Sequence, residues 1–360
     1  MRHRSLLPCA LGLGMFWMTA CGDDPTGPSA AEPTPAALEL AVTSNTWITR
    51  ANMPANRTDL ATATVTNAAG QSVVYAIAGL NPSRVPVATV TAYNVATNTW
   101  TFRRPLPWPV AGSNGAGVIN GKIYVSGGYS DYGGDFPWGR LLIYDPARNT
   151  WTQGSDIPVV TLPGAVKHAA AGNGVTGVIN GKLYVVSGCF SAYEPYGYYE
   201  SCNPLLFRYN PVTNYWVRLR SPFAGVTTFG PLVGGVIAGK FYVMGTSPYT
   251  HEAHFEVYDP STNQWTPRTS LRLARPGAAT AVLNAKLLLM GGRRYNAAID
   301  GMETVAITLM YDPITDAWSQ RAPMPTPRTG IAASTVLLNG QSRIEVVGGI
   351  APGNNIQYSP

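Results

Sequence analysis

Arginines at matching positions of repeated units are the side chains with the clearest potential for chemistry. Arg57, Arg275 and Arg328 each stand just before a predicted strand at the same point of the unit, and Lys167 lies near that point in another unit. A guanidinium is a planar fork that binds a carboxylate through two parallel hydrogen bonds. Three such forks around one axis would clamp an acidic ligand. A local salt bridge and the capping of backbone carbonyls are the alternative roles.

Three segments combine aromatic rings with a few charges, a composition that suits binding of a sugar face or a peptide. Each follows a doublet of small residues in its unit, where the distance to the next tyrosine of the unit is long and variable. The candidate ligand-binding residues in these segments are Tyr129, Tyr132 and Trp138 in the second unit, Tyr193 and Tyr196 in the third, and Arg293 and Arg294 in the fifth. The alternative is that the rings pack the loops against one another.

The sequence predicts neither a cofactor nor a metal site. His251, Glu252, His254 and Glu256 form the densest group of metal-ligand side chains, but their segment reads as extended and lacks the HExxH spacing. No phosphate-binding loop, nucleophile elbow or pair of carboxylates stands out. The formal net charge of +6 is spread along the chain without a basic stripe, so we expect no nucleic-acid partner.

The N-terminus has the features of an export signal. Arg2 and Arg4 precede an apolar run over 6–17, and small residues stand just before Cys21. This ending resembles a bacterial lipobox, which implies cleavage before Cys21 and a diacylglycerol anchor on its thiol. An ordinary secreted protein and a short membrane anchor are the alternatives. We therefore predict a lipoprotein signal peptide over 1–20, a disordered tether over 21–40, and a lipid-anchored protein of the bacterial cell envelope, periplasmic or surface-facing.

Two of the four cysteines remain once Cys9 and Cys21 are assigned to the N-terminal segment. Cys189 and Cys202 lie 13 positions apart in one predicted loop. In an oxidising compartment we expect them to form a disulfide that holds the loop in one shape. Two buried free thiols are the alternative.

The candidate residues lie within a sequence unit that occurs six times. Its marker is a tyrosine followed seven positions later by a tryptophan, and upstream of the marker come a small-residue doublet and a hairpin turn such as Asn120-Gly121. The complete markers are Tyr93/Trp100, Tyr144/Trp151, Tyr209/Trp216, Tyr258/Trp265 and Tyr311/Trp318. A sixth unit stops after Tyr358, whereas an unpaired Trp47 stands at the other end of the repeats. We expect the strand around Trp47 to complete the sixth sheet and close the units into a ring.

The double glycine, the tyrosine and the tryptophan, at a repeat near 50 residues, resemble the kelch repeat. The resemblance covers Val42 to Pro360 and implies an all-β fold, a six-bladed kelch β-propeller over 41–360 whose last blade is closed by the N-terminal strand around Trp47. It also implies that the repeated Tyr and Trp side chains pack the blades and do not form a ligand cage.

The leading functional interpretation is a monomeric, non-enzymatic module that binds a protein, a peptide or an acidic glycan through one propeller face. An alternative rests on fold-level resemblance to the N-acetylneuraminate epimerases, secreted six-bladed kelch proteins with acid–base chemistry. The arginines would then hold the substrate carboxylate, and Glu194 or Glu200 would transfer the proton. A galactose-oxidase-like copper enzyme is a weaker alternative, because no Tyr/His copper set can be assembled from the sequence.

Overall fold

Short apolar and β-branched runs, separated by turn residues, form 28 strands in the part of the chain that the computed structural model describes. The structure describes residues 45–113, 115–130, 139–160, 172–188, 190–194, 197–201, 204–224, 228–247, 250–350 and 355–360. The chain divides into two units, Met1–Glu32, which lies outside the described residues, and Pro33–Pro360, which contains every strand. Within the described ranges, the chain has no helix long and apolar enough to span a membrane.

Six antiparallel four-stranded sheets form the blades. The chain begins with β1 (Thr46–Thr49), which belongs to the last blade. The first blade contains β2 (Ala61–Thr66), β3 (Ser72–Ile77), β4 (Val90–Asn94) and β5 (Thr99–Arg103). The second contains β6 (Ala116–Ile119), β7 (Lys122–Ser126), β8 (Leu141–Asp145) and β9 (Thr150–Gln153). The third contains β10 (Val175–Ile179), β11 (Lys182–Val186), an extra hairpin of β12 (Phe190–Glu194) and β13 (Gly197–Ser201), β14 (Leu206–Asn210) and β15 (Tyr215–Arg218).

The other three blades follow the same order of strands. The fourth contains β16 (Phe229–Ile237), β17 (Lys240–Thr246), β18 (Ala253–Asp259) and β19 (Gln264–Pro267). The fifth contains β20 (Ala278–Leu283), β21 (Lys286–Gly291), an extra hairpin of β22 (Arg293–Asn296) and β23 (Gly301–Thr304), β24 (Thr308–Asp312) and β25 (Ala317–Arg321). The sixth contains β26 (Ile331–Leu338), β27 (Gln341–Gly348), β28 (Ile356–Ser359) and β1.

The blades close into a ring around a central channel. The innermost strands β2, β6, β10, β16, β20 and β26 contact one another in a closed circuit. Two threonine side chains link neighbouring blades there. The Thr62 hydroxyl of the first blade donates to Ala333 O of the sixth at 2.9 Å, and the Thr280 hydroxyl of the fifth blade donates to Gly234 O of the fourth at 2.7 Å. The predicted closure is confirmed: β1 pairs with β28, with Trp47 opposite Tyr358 and their ring centroids 5.1 Å apart.

The hairpin turns between the first two strands of each blade need left-handed backbone. At Asn120-Gly121 the φ angles are 51° and 73°, as a type I′ turn requires. Asn180, Ala238, Asn284 and Asn339 have the same sign of φ at the equivalent turns. The turns predicted from the sequence therefore set the blade geometry.

The repeated Tyr and Trp side chains fasten each blade to the one before it. The Tyr144 hydroxyl donates to Asn149 Oδ1 at 2.6 Å, and the same oxygen accepts the Arg104 N–H at 2.9 Å. Trp151 Nε1 then donates to Arg104 O at 3.0 Å. Four other blades repeat the set with Tyr93/Asn98/Trp100, Tyr209/Asn214/Trp216, Tyr258/Asn263/Trp265 and Tyr311/Asp316/Trp318. The aromatic residues thus belong to the scaffold.

A second set of tyrosines packs four of the blades against the blade that follows each of them. Four blades carry a tyrosine at the same point of the second strand, in the pairs Tyr75–Tyr144, Tyr124–Tyr209, Tyr184–Tyr258 and Tyr242–Tyr311, with ring centroids 5.6 to 6.1 Å apart. The sixth blade has Glu345 at this point, 0% exposed, with Gln357 Nε2 donating to its Oε1. Burial raises the pKa of Glu345 to about 7, despite the opposing influence of Gln357 and Arg50. The seam that closes the ring therefore contains a buried carboxyl group.

Candidate functional site

A cavity of about 750 Å³ opens at the mouth of the channel, on the face formed by two sets of loops. One set enters the innermost strands, and the other follows the small-residue doublets. Six of the side chains that line the cavity decide its chemistry: Asp59, Arg84, Asn173, His251, Arg293 and Ile350. A volume of this size is in the range that holds small molecules or protruding side chains, about 300–1,000 Å³.

The floor of the cavity is a ring of left-handed residues, one from each blade. They are Asp59, Gly112, Asn173, Gly230, Gly277 and Gly330, with φ between 52° and 73°. Backbone hydrogen bonds connect this ring from blade to blade: Gly330 N–H donates to Gly277 O, Asp59 N–H to Gly330 O and Gly112 N–H to Asp59 O, at 2.9 to 3.0 Å. Because these backbone groups are used in the circuit, chemistry at the floor depends on the two side chains of the ring.

Glycine is required at several ring positions because a neighbouring side chain lies over the backbone. A Cβ built on Gly112 would stand 2.6 Å from Asn173 Oδ1 and 2.7 Å from the Tyr129 ring. Among the described residues, a Cβ built on Gly230 would meet Pro276, at 3.7 Å. Within the described residues, the polar side chains of the ring are those of Asp59 and Asn173.

Asp59 is the acidic side chain among the described residues that line the cavity. Its Oδ2 accepts a hydrogen bond from the Thr58 hydroxyl at 3.0 Å, and burial raises the pKa of its carboxyl. Asn173 is the neutral counterpart in the third blade. Left-handed φ favours glycine and disfavours side chains other than Asn and Asp. Asp59 and Asn173 therefore place polar side chains at positions that the other blades fill with glycine.

The extra hairpin β22–β23 forms one wall of the cavity. Arg293, at its base, is exposed and lines the cavity, whereas Arg294 forms an ion pair with Glu303 across the hairpin. The Tyr295 ring stacks on His251 of the fourth blade, with centroids 4.9 Å apart and planes 14° apart. The wall is therefore built on ordered contacts between two blades.

Arg57, one of the three arginines predicted to clamp a carboxylate, lines the cavity from a buried position in the first blade. It is 2% exposed, and its guanidinium donates to Ala78 O at 3.0 Å, to Thr89 O at 2.5 Å and to Thr91 Oγ1 at 2.7 Å within the first blade. Burial lowers the pKa of Arg57 to about 10. The arrangement found is the capping of carbonyls, the alternative considered for this side chain.

Arg275 and Arg328 are buried to a similar degree, at 3% and 2% exposure. Arg328 Nε donates to Thr326 Oγ1 at 3.0 Å, and burial lowers its pKa. A bidentate clamp needs guanidinium edges that a ligand can reach, so this burial argues against the clamp. The exposed arginines of the cavity are Arg84 and Arg293.

Of the other predicted site residues, some lie in the part of the chain that the structure describes and the rest lie outside it. Tyr129 is half-buried beside the floor, paired with Ala111 through two backbone hydrogen bonds of 2.9 Å. Tyr193 lies in β12, the first strand of an extra hairpin where the sequence predicted a loop. Outside the described residues are Tyr132, Trp138, Lys167, Tyr196, Cys21, Cys189 and Cys202. In the part of the chain that is described, no group of three His, Cys, Asp or Glu side chains could hold a metal ion.

Sequence reasoning missed Asp59, Arg84 and Asn173. A signal for Asp59 was present: the residue two positions after the matching arginine is Gly277 or Gly330 in two units and Asp59 in the first. Arg84 follows a doublet that reads as an ordinary turn, and its position at the cavity depends on the fold of the whole ring.

Comparison with known proteins agrees with this architecture. A family model described as a kelch motif matches residues 113–158. "Kelch-like protein terF" of Aspergillus terreus is 28% identical over 276 residues, 73% of this chain and 55% of that protein. "Kelch-like protein 15" of Homo sapiens is 22% identical over 284 residues, 77% of this chain and 36% of that protein. The chain thus spans roughly a third to just over half of the length of these relatives.

A solved structure, "Structure of YjhT", shares the fold with a TM-score of 0.61 and 15% sequence identity, covering 85% of this chain and 94% of that one. At this identity the likeness concerns the fold alone. The six closed blades show that the chain folds as a six-bladed β-propeller, and the kelch motif in the second blade and the kelch-like relatives are what its sequence is similar to.

Proposed function

We propose that this protein is a binding module that holds a protein partner on its loop face and takes an acidic side chain of that partner into the cavity. A kelch-repeat propeller is consistent with a protein-interaction module. The observation that carries the proposal is the pairing of two exposed arginines with exposed apolar side chains around one cavity. Propellers present such loops on a rigid scaffold.

The charge of the cavity favours an acidic ligand group. Arg84 from the first blade and Arg293 from the fifth line it, and both are exposed. Their guanidiniums can turn toward an incoming carboxylate and bind it through paired hydrogen bonds. A bound carboxylate would replace the water that accepts hydrogen bonds from these guanidiniums. The gain in binding free energy is therefore largest when the partner covers the mouth of the cavity and excludes solvent.

The apolar side chains around the mouth favour a protein over a free sugar. Ile350 lines the cavity and is 69% exposed, and Val85, next to Arg84, is 47% exposed. Ile299, at the tip of the β22–β23 hairpin, is 64% exposed. Apolar side chains grouped around polar ones are typical of a surface that is covered by a partner protein.

Reversal of the two cavity charges tests the proposal. A random peptide library displayed on phage is selected on the immobilised full chain, and the enriched peptides are then measured on the Arg84→Glu/Arg293→Glu variant. We expect acidic peptides that lose at least about a hundredfold in affinity, since two charge-assisted contacts become repulsive. The Arg148→Glu/Arg218→Glu variant has the same net charge change at exposed positions outside the cavity and should bind as the natural chain does. Equal binding by all three proteins would contradict the proposal.

A second candidate function is an enzyme of the acidic-sugar epimerase type. The observation in its favour is Asp59, an acid whose pKa is raised by burial, in a cavity with exposed arginines. Proton NMR of anomer exchange in N-acetylneuraminate, with and without the protein, decides this candidate. Exchange that is unchanged by the protein removes it.

The envelope location belongs to the same proposal. The lipobox-like ending before Cys21 supports a lipid anchor that would hold the propeller at a membrane. Cys21→Ser should move the protein from the detergent phase to the aqueous phase of extracted cells. Unchanged partitioning would count against the anchor.

A further inference from the structure

We infer that Asp59 is a specificity residue, and that the cavity prefers a partner segment in which a basic side chain stands close to the acidic one. The inference rests on the proposed function, because it assigns the acidic group to Arg84 and Arg293 and the basic group to Asp59. It goes further in naming the chemistry of the partner and the residue that reads it.

Asp59 occupies a place in the ring where four other blades have glycine. Its φ of 52° is left-handed, a conformation that glycine adopts without cost and that Asp and Asn tolerate better than other side chains. The backbone function of the ring, donation to Gly330 O and acceptance from Gly112 N–H, needs no side chain. The backbone circuit of the ring therefore does not require a carboxylate at this position.

The carboxylate is also poorly compensated in the free protein. Its side-chain hydrogen bond comes from the Thr58 hydroxyl, and none of the described residues forms an ion pair with it. Oδ1 lies beside Gly330, where a Cβ would stand 3.4 Å from it. Asp59 is half-buried, and burial raises the pKa of its carboxyl by disfavouring the charged form. A cation delivered by a partner would supply what is missing.

The arrangement of charges in the cavity makes a partner with one kind of charge a poor fit. An acidic group alone would gain from Arg84 and Arg293 but would bring a second negative charge into the cavity that holds Asp59. A basic group alone would gain from Asp59 but face two arginines. A segment with both charges satisfies both sides, which is how charge patterns across an interface produce specificity.

Two substitutions remove the carboxylate without endangering the fold. Asp59→Gly installs the residue that most of the ring already has, and Asp59→Asn keeps the shape and the tolerance for left-handed φ that Asn173 shows. Both remove a poorly solvated charge, so both variants should be at least as stable as the natural chain. A loss of binding selectivity in a protein of equal or greater stability cannot be ascribed to unfolding.

The test is a peptide selection followed by a coupling measurement. The phage-displayed random library is selected in parallel on the full-length natural chain and on Asp59→Asn. We expect Lys or Arg within two positions of the acidic residue among peptides from the natural chain, and no such enrichment on Asp59→Asn. In a synthetic peptide from the first selection, replacing that Lys by norleucine should weaken binding to the natural chain about tenfold and to Asp59→Asn less than about twofold.

Equal effects of norleucine on the two proteins would overturn the inference, as would acidic peptides from the natural chain that show no neighbouring basic residue. Either result leaves the acidic-ligand proposal standing. A selection that yields no acidic peptide, or peptides that bind Arg84→Glu/Arg293→Glu as well as the natural chain, overturns the proposed function and this inference together.

Discussion

Replacing Glu345 with glutamine is expected to raise the free energy of unfolding by about 3 kcal/mol at pH 8. Glu345 is fully buried in the seam between the last and the first blade, where four other blades have a tyrosine. Glutamine keeps the oxygen that accepts the hydrogen bond from Gln357 Nε2 and carries no charge. The variant therefore retains the packing of the seam and removes the cost of a buried anion.

The gain depends on pH in a defined direction. The pKa of Glu345 in the folded protein is about 7, above its ordinary value of 4.5, because burial penalises the ionised form more than Gln357, Arg50, Asn355 and Arg343 favour it. A carboxyl with a raised pKa stabilises the fold below the unfolded pKa, and that contribution is lost as the pH rises through the folded pKa. The natural chain should therefore lose stability between about pH 4.5 and pH 7.

Urea unfolding of both proteins at several pH values from 4 to 8 measures this difference. We expect the two stabilities to diverge across that interval and to keep a constant separation above it. Glu303→Gln is the matched control, because the pKa of Glu303 is lowered by its hydrogen bond from Arg294 and its removal should give no gain at pH 8. Parallel stability curves for the natural chain and Glu345→Gln would show that Glu345 does not titrate in the seam.

Arg57→Met should lower the free energy of unfolding by about 3–5 kcal/mol. The guanidinium joins the loop that enters the first blade to two of its strands, through Ala55 O, Ala76 O, Ala78 O, Thr89 O and Thr91 Oγ1. Methionine fills the space of the side-chain stem and donates to none of these acceptors. Several buried carbonyls then lose partners, each at a cost of about 1–3 kcal/mol before relaxation.

Thermal and urea unfolding of Arg57→Met are compared with those of Arg84→Met, the same change at an exposed arginine of the same blade. We expect Arg84→Met to be close to the natural chain in stability and to be weakened in peptide binding, and Arg57→Met to be unstable. A stable Arg57→Met that fails to bind acidic peptides would restore the carboxylate clamp. The pair of variants separates the capping role from the ligand-binding role.

The fold could be predicted from the sequence because its determinants are local and repeated. The seven-residue interval from Tyr144 to Trp151 allows Asn149, in left-handed conformation, to accept from the tyrosine hydroxyl and from the preceding blade. This set occurs in five blades. The tryptophan that the sixth unit lacks is Trp47, at the other end of the repeats. Ring closure follows from counting the units, without knowledge of any long-range contact.

The site was less accessible to sequence reasoning because it depends on which side chains the fold buries. Arg57 and Arg84 are both arginines near turns, and only the position of the first-blade carbonyls determines that the former is enclosed and the latter exposed. The extra hairpins of the third and fifth blades were expected as loops, since strands of four or five residues with tyrosine and glutamate give a weak signal. Asp59 became recognisable as unusual only beside the glycines of the ring.

Hydrogen–deuterium exchange of the full chain, with and without a peptide selected on it, tests most directly whether the loop face is the binding surface. We expect slower exchange in the segments that border the cavity, namely 56–59, 80–84, 293–302 and 349–350. We expect no change at the hairpin turns between the first two strands of the blades, at 120–121, 180–181, 238–239, 284–285 and 339–340. Protection at those turns, with unchanged exchange around the cavity, would contradict the proposed site.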